Sequence, residues 1–558
     1  MAETTSYLPI EPTNFDLIVV GTGLPSSIIA AAASAAGKSV IHLDSNPFYG
    51  SHFSSLPLDD LTSFLHSQSQ SLDPNLHIPP PQSNDTDEFI AVSLTTQRMY
   101  SEVEISSYST EPLEQSRKFS IDLAGPRVFF CADSVVDLML RLGVNQYMEF
   151  QSIEGSFVCD GDGKLWNVPD SRKAIFKDRS LGLTEKNQLM RFFKLVQEHL
   201  QAVGSVDGES GENKRISEED LESPFVVFLE KMGFSPKLKS IILYAIAMTD
   251  YDQENVKVCK DAVKTKEGIS RLALYHSSVG RFPNALGALI YPLHGQGELP
   301  QAFCRRAAVK GSLYVLRMAV IALHIDKASR SCKGVKLASG QELFSHQVIL
   351  DPSFTVPSPV PNSPSGFLQD SSQIFGLRDV KGKVARGICI TKTSLKADVI
   401  NLLALYPPKS LYPEQVTSVR VLQLGSNLAV CPPGMFILYL SALCDNAIQG
   451  KNLLHAAINA LFSAPVPGNA ENSNTDQNEN AEQVKPGLLW SVFYIQELIM
   501  GSCKSVSFTP MPDGNLNYSD VLDEAMKLFQ KMYPHEEFFP ETAQSDKLED
   551  EVDLDVES

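Results

Sequence analysis

The sequence predicts an α/β fold: a discontinuous, flavoprotein-like sheet domain of the dinucleotide-binding type, with a helical domain inserted into it. Three observations carry that prediction. Residues 16–44 read as strand, glycine turn, helix and strand; residues 184–282 read as successive helices; and strand-like apolar runs resume after residue 288. A β-α-β opening implies a parallel sheet covered by helices, so the helical block interrupts a sheet domain that is completed later in the chain.

Residues 16–20 form a short apolar strand and 21–26 the turn. Residues 28–36 form an alanine-rich helix that Gly37 stops, and 39–44 the second strand. With the rest of residues 1–51, these make the first part of the sheet domain. Between 52 and 118 the composition shifts to Ser, Gln, Asp and Pro, which predicts a low-complexity, partly disordered insertion. The sheet domain continues over 119–165. There "DSVVDLMLRLG" is a helix capped by Asp133 or Ser134 and stopped by Gly143, and "GSFVCDGDGKLWNV" is a hairpin. Asp160 and Asp162 belong to that hairpin's turn, because the remaining ligands of a calcium loop are missing.

The helical domain spans 166–285. Thr184 caps a helix with Leu189, Phe192, Phe193, Val196 and Leu200 on one stripe, and Ser223-Pro224 and Ser235-Pro236 start two more. "KLKSIILYAIAMT" is apolar almost all round and therefore central to a bundle. The sheet domain returns over 286–465, with 308–350 as a meander. It passes a flexible loop at 466–485 and closes over 486–540 with the helix "YSDVLDEAMKLFQKMY". Residues 541–558 read as a disordered acidic tail.

The 558 residues carry a net charge of -19, which argues against nucleic acid as a partner, since phosphate binding needs clustered Lys and Arg. Nine cysteines are scattered singly, with no C-x-x-C and no zinc spacing, so reduced thiols and no metal site are expected. The first residues lack the basic and apolar regions of a signal peptide, no apolar run has transmembrane length, and the last residues carry no prenylation box. The expectation is a cytosolic protein that meets membranes only transiently.

In a dinucleotide fingerprint one glycine makes the turn, a second admits the pyrophosphate and a third lets helix and strand pack closely. Gly21 and Gly23 fill the first two places, Ser26 stands in the third, and Asp44 holds the place of the ribose-binding acid. Those residues alone leave a flavin or nicotinamide enzyme open, and a relative of the flavin amine oxidases is the rival reading. Two features count against it. Gly50-Ser51 stands where such enzymes carry a glycine pair, and the chain's one Gly-Asp, Gly161-Asp162, sits in the hairpin. Eleven histidines are dispersed and neither G-x-S-x-G nor H-E-x-x-H occurs, so no catalytic residues and no cofactor are predicted.

"GTGL", "HLDSNPFYG" and "YPLHGQGELPQAFCRRAAVKGSLYVLR" together resemble the Rab GDP-dissociation inhibitor and Rab escort protein superfamily, across most of residues 15–350. Glu298 and Arg305 are seven apart, about two helical turns, and so share one side of a helix roughly 10 Å apart. Alone they read as a solvated charge pair. The resemblance implies instead that Tyr49, Glu298 and Arg305 form a platform for GDP-bound Rab GTPases, unprenylated and prenylated. It further implies that the helical domain shelters a geranylgeranyl lipid and meets the Rab geranylgeranyl transferase heterodimer. Residues 121–150 would hold the Rab C-terminal tail, with Val128, Phe129 and Phe130 as candidates beside ordinary core packing. Length, Gln296, Cys304 and "LYAIAMT" resemble the escort branch; the dissociation inhibitors are the alternative. Tyr275 is the nearest match to the phenylalanine that escort proteins insert into the transferase, and the loop after it is longer than usual.

Overall fold

The structure is a computed structural model that describes residues 8–69, 89–109, 113, 115–204, 215–355, 379–462, 487–501 and 505–540. The flexible loop expected at 466–485, the acidic tail at 541–558 and most of the acidic loop at 204–220 lie outside the described residues.

The opening folds as expected. Strand β1 (Leu17–Val20), helix α1 (Leu24–Ala35) and strand β2 (Val40–Leu43) are buried almost throughout. They form the centre of a five-stranded parallel sheet in the order Leu313–Val315, β2, β1, Val348–Leu350, Ser507–Phe508. Strands from three distant parts of the chain therefore share one sheet, which makes this domain discontinuous. Helix α1 is covered on its outer side by the helices Glu298–Val309 and Ser519–Met532, through a core that includes Ile28, Ile29, Phe303 and Phe529. The alanines at 30–33 and Ala302 and Ala307 are buried there, and their small side chains let the backbones approach closely.

A second, eight-stranded sheet runs from Leu165–Asn167 through Gly155–Cys159, Leu402–Tyr406, Val419–Gly425, Phe436–Cys444, Asp379–Thr391 and Leu488–Met500 to Tyr100–Ser107. The meander expected at 308–350 is present as part of a four-stranded antiparallel sheet over Val320–Asp326, Cys332–Leu337 and Glu342–Phe344. Its fourth strand is Phe89–Ser93. Helices Leu183–Gly204, Glu218–Glu222, Phe225–Lys231, Pro236–Ser240 and Thr265–Ser278 form the helical block. Ile241–Ile246 is a π-helical turn, wholly buried.

Within 52–118, read from composition as a low-complexity, partly disordered insertion, the described residues contain regular elements. Residues 70–88 lie outside the described part, but Leu58–Ser69 is a helix, Phe89–Ser93 joins the four-stranded sheet, and Tyr100–Ser107 pairs with Leu488–Met500 at the edge of the large sheet. The polar composition masked two periodic patterns. Leu58, Leu61 and Leu65 are spaced for one helical face, and all three are buried. Val103 and Ile105 alternate as on a strand and pack against the same core.

Candidate functional site

Two glycine turns position the residues that the sequence singles out. In the first, Gly21 has φ +95° and a Cβ there would sit 2.7 Å from Asp351 Cβ, so glycine is required. The turn is closed by its own side chains. The Thr22 N–H donates to Asp44 Oδ2 at 2.8 Å and to Ser51 Oγ at 3.0 Å, while the Thr22 hydroxyl donates to Asp44 Oδ2 at 2.6 Å. Ser51 Oγ also donates to Oδ2, and the Asn46 N–H and Nδ2 donate to Oδ1. Asp44 is thus buried with both oxygens occupied; burial pushes its carboxyl up, and these bonds oppose the shift. Ser26 is buried, its hydroxyl 3.4 Å from Thr509 Oγ1. Pro25 in the first turn of α1 removes one of the N–H groups that a helix start offers to an anion. A flavin or nicotinamide dinucleotide needs those donors and that acid, so the residues present do not fit one.

Behind this turn, buried His42 donates from Nε2 to the Gly21 carbonyl at 2.7 Å, and its Nδ1 has no partner among the described residues. Burial pushes its pKa down to about 4, so it is neutral at pH 7. The His42 ring lies 5.1 Å from Tyr314, and Tyr314 lies 6.1 Å edge-on from Tyr49. This aromatic row fixes Tyr49, which is half-buried and near Cys304; burial raises its hydroxyl pKa. Cys304 is itself tied to α1 through Ser27 Oγ at 3.3 Å.

The second turn, 294–297, delivers the helix Glu298–Val309. Gly295 has φ +100°, and a Cβ on Gly297 would meet the Ser55 nitrogen at 2.6 Å. Asp122 anchors the turn. Its carboxylate accepts from the Gln296 N–H at 2.9 Å, from Ser55 Oγ at 2.6 Å and from the Tyr291 hydroxyl. Burial pushes the Asp122 carboxyl up to about 6, against these bonds. The helix buries Leu299, Ala302, Phe303 and Ala307 and turns Glu298, Gln301, Arg305 and Ala308 outward. Those positions recur every three or four residues and so form a single outward stripe. Gln301 Nε2 donates to Glu298 Oε1 at 3.4 Å, and Arg305 is exposed with no ion pair among the described residues. The structure therefore brings Tyr49, Glu298 and Arg305 to one helix and its flank. Asp122 and Gln301 are additions that the sequence did not single out.

The remaining candidates are placed differently. Val128, Phe129 and Phe130 are buried: Phe129 stacks on Tyr518 at 4.3 Å, and Phe130 meets Tyr275 edge-on at 6.4 Å. They hold the core and offer no open face. Tyr275, expected at a partner contact, is buried by the same packing, while Leu286 in the longer loop after it is 70% exposed. The segment 121–150 does carry an open feature, an apolar cleft of about 260 Å³ lined by Val136, Met139, Leu140, Met148, Phe150 and Phe282. The ion pair between Asp137 and Arg281 ties its helix to the loop that carries Phe282.

The profile of the family described as GDP dissociation inhibitor matches residues 11–77 and 83–456. The chain belongs to the GDP dissociation inhibitor family. Within it, the chain is 56% identical to "Rab escort protein 1" of Arabidopsis thaliana over 545 residues, 97% of this chain and 96% of that one. It is 27% identical to "Rab proteins geranylgeranyltransferase component A" of Drosophila melanogaster, covering 96% and 92%. To "Rab proteins geranylgeranyltransferase component A 1" of Homo sapiens it is 25% identical, covering 95% and 92%. A solved Rab GDI structure from Plasmodium falciparum superposes with a TM-score of 0.65 at 18% identity, over 94% of this chain and 99% of that one. The superposition shows that the sheets and helices described above have the fold of that Rab GDI structure.

Proposed function

We propose that this chain is a Rab escort protein. It binds GDP-bound Rab GTPases, presents them to Rab geranylgeranyl transferase for prenylation of their C-terminal cysteines, and carries the prenylated Rab to membranes. It performs no chemistry itself. The observation that carries the reading is the similarity to the Arabidopsis escort protein along nearly the whole chain, joined to an outward stripe that leaves Glu298 and Arg305 available. The Arg305 guanidinium is a rigid fork of donors for a carboxylate or backbone carbonyl of the partner. Glu298 accepts from an N–H or a basic side chain, and Tyr49 adds a rigid, amphipathic contact. Preference for the GDP state follows from switch loops that change shape with the γ-phosphate.

The tail of the Rab is assigned to the apolar cleft beside Leu140 and Met148, replacing Val128–Phe130. The lipid is assigned to the helical block. Its interior is filled here by Phe192, Phe228 and Phe234, with Phe192 edge-on to Phe234 at 5.1 Å, so entry requires the helices to part. Burying a C20 chain at about 25 cal/mol per Å² is worth several kcal/mol, which offsets that opening. No helix among the described residues is long and apolar enough to cross a membrane, so delivery would rest on transient membrane contact.

The test is a reconstituted prenylation with purified chain, unprenylated Rab, geranylgeranyl diphosphate and the transferase heterodimer. Label incorporation that depends on the chain supports the escort role. Binding of prenylated Rab without any support of prenylation would make it a dissociation inhibitor instead.

A further inference from the structure

We propose that a cleft at the C-terminal ends of β1, β2 and Val348–Leu350 binds a nucleoside monophosphate, held by Asp351 and Arg98. In parallel sheets the carboxyl ends of the strands are where ligands bind. Here those ends run directly into Gly21, Asp44 and Asp351, which line a cleft of about 230 Å³. Asp44 is occupied by the turn, but Asp351, on the other side of β1, is not. Its Oδ1 accepts from the His52 ring at 3.2 Å, the Ser353 N–H at 3.0 Å and Ser353 Oγ at 2.7 Å. Its Oδ2 accepts no hydrogen bond among the described residues, although the residue is only 5% exposed. Burial works against its charge, yet His52 and the Ser353 bonds outweigh it and hold the carboxyl below the usual range. A buried, ionised carboxylate with a vacant oxygen on a cleft calls for a donor from a ligand.

Arg98 lines the same cleft and is half-buried. Among the described residues its guanidinium donates no hydrogen bond and makes no ion pair, despite the two aspartates that share the cleft. Its fork is free for an anion, and phosphate matches that geometry. Phe48, Phe64 and Phe354 also line the cleft and give it aromatic surface against which a planar base can pack. Hydroxyl donors for Asp351, an anion for Arg98 and a flat ring for the phenylalanines together describe a ribonucleotide. The cleft lies below the roughly 300–1,000 Å³ of sites that take drug-sized ligands, so it takes one nucleoside and not two. Phe48 directly precedes Tyr49, so a filled cleft would also steady the loop that carries Tyr49. Nothing in this proposal depends on the GTPase reading.

Isothermal titration of the full chain with adenosine 5′-monophosphate tests it, with adenosine, inorganic phosphate and FAD titrated in parallel. The expected result is saturable one-to-one binding of the monophosphate that is weakened about tenfold or more in Arg98→Ala, with adenosine bound equally by both proteins. Arg98→Gln, which keeps the side-chain bulk, should behave like Arg98→Ala, and thermal melts should match wild type. Four outcomes would each overturn it: no monophosphate binding at millimolar concentration, equal affinity in the Arg98 variants, phosphate alone binding as tightly, or FAD binding more tightly than the monophosphate.

Discussion

The turns at 21–24 and 294–298 use the same device, a glycine with positive φ that feeds the first turn of a helix, and they end in opposite states. The first is folded in on itself: Asp44, Thr22 and Ser51 satisfy one another, and His42 holds the Gly21 carbonyl from behind. The second is anchored from beneath by Asp122, so that the helix it starts can leave Glu298 and Arg305 facing outward. The difference is one of where the hydrogen-bond partners come from. A turn that finds its partners within the chain keeps Thr22, Asp44 and Ser51 occupied, and in the cleft beside it Asp351 and Arg98 keep hydrogen-bonding capacity to offer a ligand. A turn held from below frees the helix face above it.

The largest expected effect comes from the open side. Arg305→Ala should weaken binding of GDP-bound Rab roughly a hundredfold, as loss of a central arginine anchor does, with an unchanged melting temperature; titration calorimetry and a thermal melt check both. Next is the anchor beneath. Asp122→Ala leaves the Gln296 N–H and the buried Tyr291 hydroxyl without their acceptor, and should cost about 3 kcal/mol of stability in urea unfolding, with Rab affinity falling as the turn loosens.

On the closed side the expected effect is pH-dependent. His42 has a folded pKa of about 4, below its ordinary 6.5, so the unfolded chain binds more protons between those values. Its contribution is fully present above pH 6.5 and is lost as pH falls toward 4. Compared with His42→Gln, wild type should lose about 1 kcal/mol by pH 5.5 and about 3 kcal/mol by pH 4. Asp122 titrates in the opposite sense, but it is common to both proteins and cancels in the difference. The smallest effect is expected for Gly23→Ala. An added Cβ meets Phe53 at 3.7 Å, an ordinary contact, at a negative φ. In a dinucleotide-binding turn that methyl would block the pyrophosphate; here melting temperature and Rab affinity should both stay within error of wild type.

The β-α-β opening was legible because its apolar runs and glycines are local, and the helical block because its stripes and Ser-Pro starts are local too. The open stripe was half legible: spacing placed Glu298 and Arg305 on one side of a helix, but only the resemblance distinguished a platform from a solvated pair. Asp122 was invisible because its partners Tyr291 and Gln296 lie about 170 residues away, and a single Asp in "SIDLAG" carries no pattern. Val128–Phe130 misled because three apolar residues in a row read the same on a surface and in a core, and Tyr518, which buries Phe129, lies far along the chain. The elements within 52–118 were hard to read because exposed serines such as Ser63, Ser67 and Ser106 share them with the buried Leu61 and Leu65 and the part-buried Ile105.

The most direct test of the central claim is the affinity of GDP-bound Rab for Gly23→Ala and Arg305→Ala, measured side by side with wild type. Wild-type affinity is expected for the first and a loss of about a hundredfold for the second, in proteins with matching melts. Equal affinities for wild type and Arg305→Ala, or a loss confined to Gly23→Ala, would contradict it.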